Sequence, residues 1–66
     1  MIEYYLNNNN MYRVTNEKGV FKVEEFRPMF DGSFYSSTGY VVRLDNFAEV
    51  REILTELNGG IEVYGW

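Results

Sequence analysis

Residues that could support catalysis are few in this sequence, and their spacing does not favour a reaction. All three serines and one threonine cluster in one segment, at Ser33, Ser36, Ser37 and Thr38. A serine nucleophile needs a neighbouring base to remove its proton, and the chain contains no histidine and no cysteine. Turn formation is the usual role of such clustered hydroxyl residues. The segment is therefore predicted to form a turn rather than a catalytic site.

The acidic residues give no better catalytic arrangement. Glu24 and Glu25 are the only adjacent carboxylates, but neighbours along a strand point to opposite faces and cannot act on one substrate atom. The run Asp31-Gly32-Ser33 is similar to the beginning of a calcium loop, yet the alternating oxygen ligands and the closing bidentate glutamate are missing. No glycine-rich phosphate loop is found in the sequence. We therefore expect no enzymatic activity, no metal site and no cofactor.

The length of the chain, 66 residues, predicts a single domain spanning residues 1–66. A domain of this size buries only about 60% of its unfolded surface, so its stability is marginal without a further contribution. Disulfides and structural zinc cannot supply that contribution, because cysteine and histidine are absent. Self-association remains, and we expect a homodimer.

The charge balance makes nucleic acid a disfavoured partner. Ten acidic and six basic residues give a formal net charge of −4, which opposes attraction to phosphate backbones. No apolar run approaches the roughly 20 residues that cross a bilayer. The segment from Met1 to Tyr4 also lacks the basic and apolar regions of a signal peptide. These features predict a soluble protein of the cytoplasm, and the lack of cysteine fits that reducing compartment.

Alternating apolar residues predict a small antiparallel, curved sheet of four to five strands. The predicted strands cover residues 2–6, 11–15, 20–27, 34–45 and a short C-terminal strand at 61–64. The fourth of these is either one long strand or two short ones. Four consecutive asparagines, at 7–10, predict the first hairpin loop, and residues 16–19 predict the second. Phe26 stands on the polar side of its strand and marks either a bulge or a second packing surface.

One amphipathic helix, from about residue 46 to 58, completes the predicted α+β fold. Asn46 and Glu49 have the spacing of a capping box, and Asn58-Gly59-Gly60 is typical of a helix end. Apolar residues recur at helical spacing and form an inner arc that consists of Phe47, Val50, Ile53, Leu54 and Leu57. This helix is expected to cover one face of the sheet.

Two features of the sequence are candidates for partner binding. On the outer helix face, Glu49, Glu52 and Glu56 align in one carboxylate row, which is either a solvated surface or an acidic strip that docks on a basic groove. The second feature is a surplus of rings that do not all fit on one inward face, namely Tyr5, Phe26, Phe30, Tyr35, Tyr64 and Trp66. Four interpretations of these rings are open. They are a second core layer, a dimer interface, a hot spot for another protein, or a stacking platform for single-stranded bases.

Basic residues lie among these rings on the predicted strands, which is the interleaving that base stacking with phosphate contact requires. The nucleic-acid hypothesis assigns the binding face to Tyr5, Tyr12, Arg13, Lys22 and Arg43. Scattered cations are also ordinary strand surface. The hypothesis therefore stays an alternative.

Three runs follow one another between residues 19 and 57. They are Gly-Val-Phe-Lys-Val-Glu-Glu-Phe, then Ser-Thr-Gly-Tyr-Val-Val-Arg-Leu, then Asp-Asn-Phe-Ala-Glu-Val-Arg-Glu-Ile-Leu. This strand–strand–helix order resembles that of the positive-cofactor-four type of single-stranded-DNA-binding proteins, with Phe47 as the aromatic residue early in the helix. The resemblance implies a dimer with a curved sheet and one helix per chain. The present chain departs from it in being acidic and in adding residues 61–66 after the helix.

The leading hypothesis from the sequence is a non-enzymatic acidic binding protein, a homodimeric inhibitor or adaptor that docks on a larger protein. A nucleic-acid-processing or host-defence protein is the expected class of partner, because the size and charge of the chain resemble those of small inhibitors that viruses encode. The alternatives are a single-stranded nucleic-acid-binding dimer and a structural subunit of an assembly.

Overall fold

In a computed structural model that describes residues 1–63, the chain forms a four-stranded antiparallel sheet and one α-helix. The strands follow one another across the sheet in chain order: β1 (Ile2–Tyr5), β2 (Met11–Glu17), β3 (Val20–Met29) and β4 (Phe34–Leu44). Helix α1 (Phe47–Leu57) follows β4 directly. The predicted α+β class is confirmed, and β4 is one long strand. The turn predicted for the hydroxyl cluster is therefore found only at Ser33, since Ser36, Ser37 and Thr38 lie within β4.

The first two hairpins are closed by residues with left-handed backbone angles. The asparagine loop joins β1 to β2, and Asn9 within it has a φ of 71°. Lys18 and Gly19 connect β2 to β3 with φ angles of 54° and 88°. Two central residues with positive φ make a type I′ turn, whose twist matches that of the flanking strands. Both predicted hairpin loops are therefore confirmed.

The core lies between α1 and one face of the sheet, which we call the helix-side face. Its buried residues are Tyr4, Leu6, Tyr12, Val14, Val23, Val50 and Leu54. Phe21 of β3 and Phe47 of α1 close one end of this core, with ring centroids 5.5 Å apart in an edge-to-face contact. All residues of the predicted inner helical arc are buried in this core or packed against it, so that prediction is confirmed.

Asparagine side chains fix both ends of α1. The Asn46 Oδ1 accepts a hydrogen bond from the backbone N–H of Glu49 at 3.0 Å, as the predicted cap requires. At the other end, the buried Asn58 accepts a bond from the Asn7 N–H at 2.8 Å and donates to the Ile61 carbonyl at 2.9 Å. The helix end is thereby tied to the asparagine loop between β1 and β2.

The prediction of a C-terminal strand at 61–64 is wrong for the residues that the structure describes. Residues 61–63 belong to no strand, although Val63 packs against the core. The chain turns through Gly59 and Gly60, both with positive φ, and the Ile61 carbonyl accepts its hydrogen bond from the Asn58 side chain. A local side-chain bond thus replaces strand pairing there. Tyr64 lies outside the described residues.

Beyond Phe26, β3 and β4 continue as a two-stranded extension, the hairpin arm (residues 27–36). β2 begins at Met11, which pairs with Phe26, so the later residues of β3 pair with β4 alone. Pro28 lies in this part, where a strand with one free edge tolerates the missing N–H. A register shift between Glu24 and Phe26 precedes the arm. The β4 partners of these two residues, Val41 and Ser37, are four positions apart, so the extra residues of this irregularity lie in β4 and not at Phe26.

Candidate binding surfaces

The face of the sheet away from α1, the open face, carries an apolar cluster of its own. Tyr5, Met11 and Phe26 are cross-strand partners in one row across β1, β2 and β3. Met11 is buried, yet it does not belong to the core cluster. The Arg13 guanidinium carbon lies 4.6 Å from the centroid of the Phe26 ring, which is a cation–π distance. Phe26 therefore belongs to a second packing surface, as its position in the sequence indicated.

A pair of tyrosines links this cluster to the hairpin arm. Tyr35 pairs with Pro28 in the arm, and its ring centroid lies 5.8 Å from that of Tyr5 at an interplanar angle of 67°. Tyr5 remains 63% exposed and Tyr35 is half-buried. We call Tyr5, Phe26 and Tyr35 the open-face rings, since all three lie on this face near the base of the arm.

The cations of the open face are largely occupied by carboxylates. The Arg13 Nη2 lies 3.1 Å from the Glu3 Oε2. The Lys22 Nζ lies 3.7 Å from the Glu17 Oε1 and 3.6 Å from the Glu24 Oε1. Exposed ion pairs of this kind stabilise a fold by only about 0–1 kcal/mol. They do, however, compete with phosphate groups for the same cations.

Four of the five residues predicted to contact nucleic acid lie on the open face, namely Tyr5, Arg13, Lys22 and Arg43. The prediction for the fifth, Tyr12, is wrong. Tyr12 follows Met11 in β2 and therefore points to the helix-side face, where it is fully buried. No base can stack on a ring in that position.

The Tyr12 hydroxyl belongs to a polar network around Glu25. This hydroxyl donates to the Glu25 Oε2, and the Thr38 hydroxyl donates to the Glu25 Oε1 at 2.7 Å. The Asn8 Nδ2 donates to the Tyr12 hydroxyl oxygen at 3.0 Å. Glu25 sits within the register shift and has no Cα partner in β4. The network thus joins the asparagine loop, the bulge and β4.

The network changes the ionisation of its members. Burial alone would raise the pKa of Glu25, but hydrogen bonds from Tyr12, Thr38 and Asn10 outweigh it and hold that pKa below its ordinary value. Burial raises the pKa of Tyr12, and the bond to Glu25 raises it further. Sequence reasoning missed Glu25 because it was judged only as a partner of Glu24. The signal available was its position beside the out-of-phase Phe26.

The tip of the hairpin arm displays two phenylalanines to solvent. Phe30 is 71% exposed and Phe34 is 50% exposed. Their ring centroids lie 5.2 Å apart, so the rings form one apolar patch. Phe30 was predicted as a candidate and Phe34 was not, since Phe34 reads as an ordinary strand residue after a turn. Only the structure shows that its strand begins at an unsupported tip.

The backbone at this tip is strained. Phe30, Asp31 and Gly32 have φ angles of 46°, 55° and 86°. Glycine adopts such angles freely, whereas in a bulky residue they destabilise the fold by about 1–2 kcal/mol. The turn is closed by the backbone N–H and the hydroxyl of Ser33, which donate to the Phe30 carbonyl at 3.1 and 3.0 Å. The exposed Phe30 ring is thus carried by a backbone of unfavourable conformation.

The acidic row of the helix is exposed, as the sequence predicted. Glu49, Glu52 and Glu56 all lie on the outer face of α1. Glu52 and Glu56 also line a shallow groove of about 520 Å³, together with Arg51 and Glu62. No cluster that could hold a metal ion is found among residues 1–63. In the same part of the chain, no helix is long and apolar enough to span a membrane.

Two predicted partner-binding residues, Tyr64 and Trp66, lie outside the described residues. Comparison of the chain with known protein families, with curated proteins and with solved structures gives no match. The resemblance to the positive-cofactor-four type therefore stays a prediction. The function has to be argued from the surfaces themselves.

Proposed function

We propose that this chain is a non-enzymatic binding protein, an inhibitor or adaptor, which docks on a larger protein through the tip of its hairpin arm. The observation that carries the proposal is Phe30, a 71% exposed ring on a strained backbone. Strained residues persist where the display of a side chain serves a function. Aromatic residues, phenylalanine among them, are also enriched in the cores of protein interfaces.

The shape of the arm suits insertion into an apolar groove. Phe30 and Phe34 form the leading patch, and the open-face rings provide a flatter surface behind it. Within the arm, β3 pairs with β4 and no longer with β2, so the outer edge of β3 has no strand partner there. A partner that buries the two phenylalanines would remove their apolar surface from water. Each Å² so buried contributes about 25 cal/mol of favourable free energy.

The charge of the chain supports a basic partner. The net charge is −4, and the outer face of α1 contributes Glu49, Glu52 and Glu56 to it. Opposite charge on a partner steers the encounter and increases the association rate. Proteins that process nucleic acids carry basic surfaces. We therefore propose a nucleic-acid-processing or host-defence protein as the partner class, inside the cytoplasm.

The test compares affinity capture by the wild-type chain with capture by a Phe30→Ser/Phe34→Ser variant. We expect a stoichiometric partner that the wild-type chain recovers and that the variant binds at least about tenfold more weakly, since hot-spot anchors contribute about 2 kcal/mol or more. The matched control is Ile2→Ser/Ile61→Ser, which removes two exposed apolar side chains elsewhere. Calorimetry with the purified partner then gives both dissociation constants.

Two results would contradict the proposal. One is a partner that binds the Phe30→Ser/Phe34→Ser variant as tightly as the wild-type chain. The other is a partner whose binding is lost equally in the Ile2→Ser/Ile61→Ser control, because the contact would then be a general apolar one.

The open face favours single-stranded nucleic acid as a second candidate. Tyr5, Phe26 and Tyr35 lie beside Arg13 on one surface, and rings with neighbouring cations bind single strands by stacking and phosphate contact. The test is fluorescence anisotropy with a labelled oligonucleotide at low and moderate salt. Micromolar binding that weakens with salt and is lost in Tyr5→Leu supports this candidate. Unchanged anisotropy at both salt concentrations removes it.

We also propose that the chain forms a homodimer through β4. In the described sheet, β4 is an edge strand with pairing on one side only, and a free edge can pair with another chain. Its exposed Val41 lies on the open face. Sedimentation equilibrium should give a dimer for the wild-type chain and a monomer for Val41→Pro, with the same helix content in both. A wild-type monomer would refute it.

A further inference from the structure

A groove of about 490 Å³ lies between the hairpin arm and the asparagine loop. Its size falls within the range of about 300–1,000 Å³ that is usual for ligand sites. The residues that matter for recognition are Tyr5, Tyr35, Pro28, Asn9 and Asp31. They come from three separate stretches of the chain, which only the folded hairpins bring together. This groove is distinct from the phenylalanine patch at the tip.

The groove has the electrostatic character of a cation site. Asp31 is the only ionised group among its described lining residues, and no cation lines it. Within residues 1–63, Asp31 takes part in no ion pair. A carboxylate that is not neutralised by its own chain attracts a positive group from outside. The net charge of −4 strengthens that preference over the whole molecule.

The other walls select for the shape of the cation. The rings of Tyr5 and Tyr35 meet edge to face at 5.8 Å, an arrangement that leaves ring surface open to the groove. A planar guanidinium stacks on such a surface, whereas a compact, strongly hydrated ammonium does so less well. Pro28 adds an apolar wall for a methylene stem. The side-chain carbonyl of Asn9 can accept a further N–H from a group that has five donors.

We infer that this groove binds the side chain of an arginine on the partner protein, with its guanidinium against the tyrosine rings and paired with Asp31. The inference rests on the proposed docking to a larger protein and adds the chemistry of one contact. In the complex, the phenylalanines of the arm tip would be buried against the partner, and the groove beside them would bind one arginine side chain of that partner.

The test is a titration of the isotope-labelled full chain with N-acetyl-arginine N-methylamide, followed by amide chemical shifts. We expect shifts centred on Asn9, Asp31 and Gly32. The matched citrulline compound, which is neutral and nearly isosteric, should bind at least about tenfold more weakly. The lysine compound should be several-fold weaker than the arginine compound, because a point charge does not stack as a guanidinium does.

Asp31→Asn is the decisive variant. Asparagine tolerates the left-handed angle at this position, so the turn is retained while the charge is lost. We expect at least about fivefold weaker binding of the arginine compound. Asp45→Asn, the same change at an exposed position outside the groove, should have no effect.

Equal binding of the citrulline compound, or unchanged binding by Asp31→Asn, would overturn the inference. Tighter binding of adenosine monophosphate than of the arginine compound would also overturn it, in favour of a base-stacking site. The probe requires no partner protein. A negative result here therefore leaves docking through Phe30 and Phe34 standing. A failed capture experiment with a positive titration removes the docking, and with it the assignment of the arginine to a partner protein.

Discussion

The helix-side face and the hairpin arm share two strands, β3 and β4, yet they contribute unequally to the free energy of folding. On the helix-side face, Val23 packs against Val50 and Leu54 of α1, and all three are fully buried. At the arm tip, Phe30 and Phe34 are exposed. The same pair of strands thus contains a fully buried apolar side chain, Val23, and the exposed ring of Phe34.

This difference separates stability from binding. Apolar burial is the main favourable term in folding, and exposed rings contribute little of it. The positive φ of Phe30 even subtracts from stability. This cost without a contribution to the core is the reason that we propose a binding role for the segment. The predictions below test whether the two regions are as independent as their structures indicate.

The largest effect is expected for Leu54→Ala. This change leaves a cavity in the core and should lower the free energy of unfolding by about 2–5 kcal/mol. Phe34→Ala removes a larger side chain from an exposed site and should change it by less than about 0.5 kcal/mol. Urea unfolding followed by circular dichroism measures both. Similar losses in the two variants would show that the arm is part of the cooperative core.

A smaller loss is expected when the Tyr12 hydroxyl is removed. Tyr12→Phe keeps the buried ring but deprives Glu25 of a donor, which should cost about 1–2 kcal/mol because a partly buried carboxylate loses a hydrogen bond. Tyr5→Phe, the same change on the open face, should be neutral. If thermal denaturation shows equal melting temperatures for both variants, the Glu25 network does not stabilise the fold.

The Glu25 network should also make stability depend on pH. The pKa of Glu25 in the folded chain is held below its ordinary value. The carboxylate therefore stabilises the fold fully when the pH is above that ordinary value, and this stabilisation is lost as the pH falls through the lower, native pKa. At pH 7, Glu25→Gln should be about 1 kcal/mol less stable than the wild-type chain. That difference should narrow below about pH 4.5, where the unfolded carboxyl takes up a proton. A constant difference from pH 7 to pH 3 would contradict this assignment.

Relief of the strain at the arm tip should raise stability and reduce binding together. Phe30→Asn places a residue that tolerates left-handed angles at φ 46° and should raise the free energy of unfolding by about 1 kcal/mol. The same variant should bind the partner more weakly than the wild-type chain, because one of the two rings of the docking patch is lost. Phe34→Asn, in a regular strand, is the control and should give no gain. Lower stability of Phe30→Asn would mean that the ring packs on its own chain.

The sequence predicted those elements whose signals are local. Turn residues located both early hairpins, and the cap at Asn46 with its apolar period located the helix. The C-terminal strand failed because the Asn58 side chain, which also binds the distant Asn7, takes the Ile61 carbonyl.

The arm could not be predicted, since it exists only because β2 begins at Met11 while β3 continues past Phe26. The pairing of Met11 with Phe26 sets where the arm begins, and this register joins residues that are distant in the sequence. The groove between Asp31 and the asparagine loop depends on the same register. Tyr12 was misplaced as a stacking residue because composition alone does not say which face a ring occupies. Local patterns therefore identified the elements, and their pairing decided which rings became surface.

The smallest effect on stability is expected for the acidic row of the helix, replaced as Glu49→Gln/Glu52→Gln/Glu56→Gln. Loss of Glu49 weakens a favourable interaction with the helix N-terminus, and loss of the Glu52–Glu56 repulsion at i, i+4 offsets it, each by about 0.3–0.5 kcal/mol. The unfolding midpoint should therefore hardly move, while the net charge changes from −4 to −1.

The informative measurement on this variant is partner binding at two salt concentrations. If the row steers a basic partner, the association rate should fall at low salt and the dissociation rate should stay constant, because exposed charges act mainly on the encounter. Unchanged association would assign recognition to the arm alone. A faster dissociation would instead place the helix inside the interface, and the contrast between a stabilising face and a binding arm would then no longer hold.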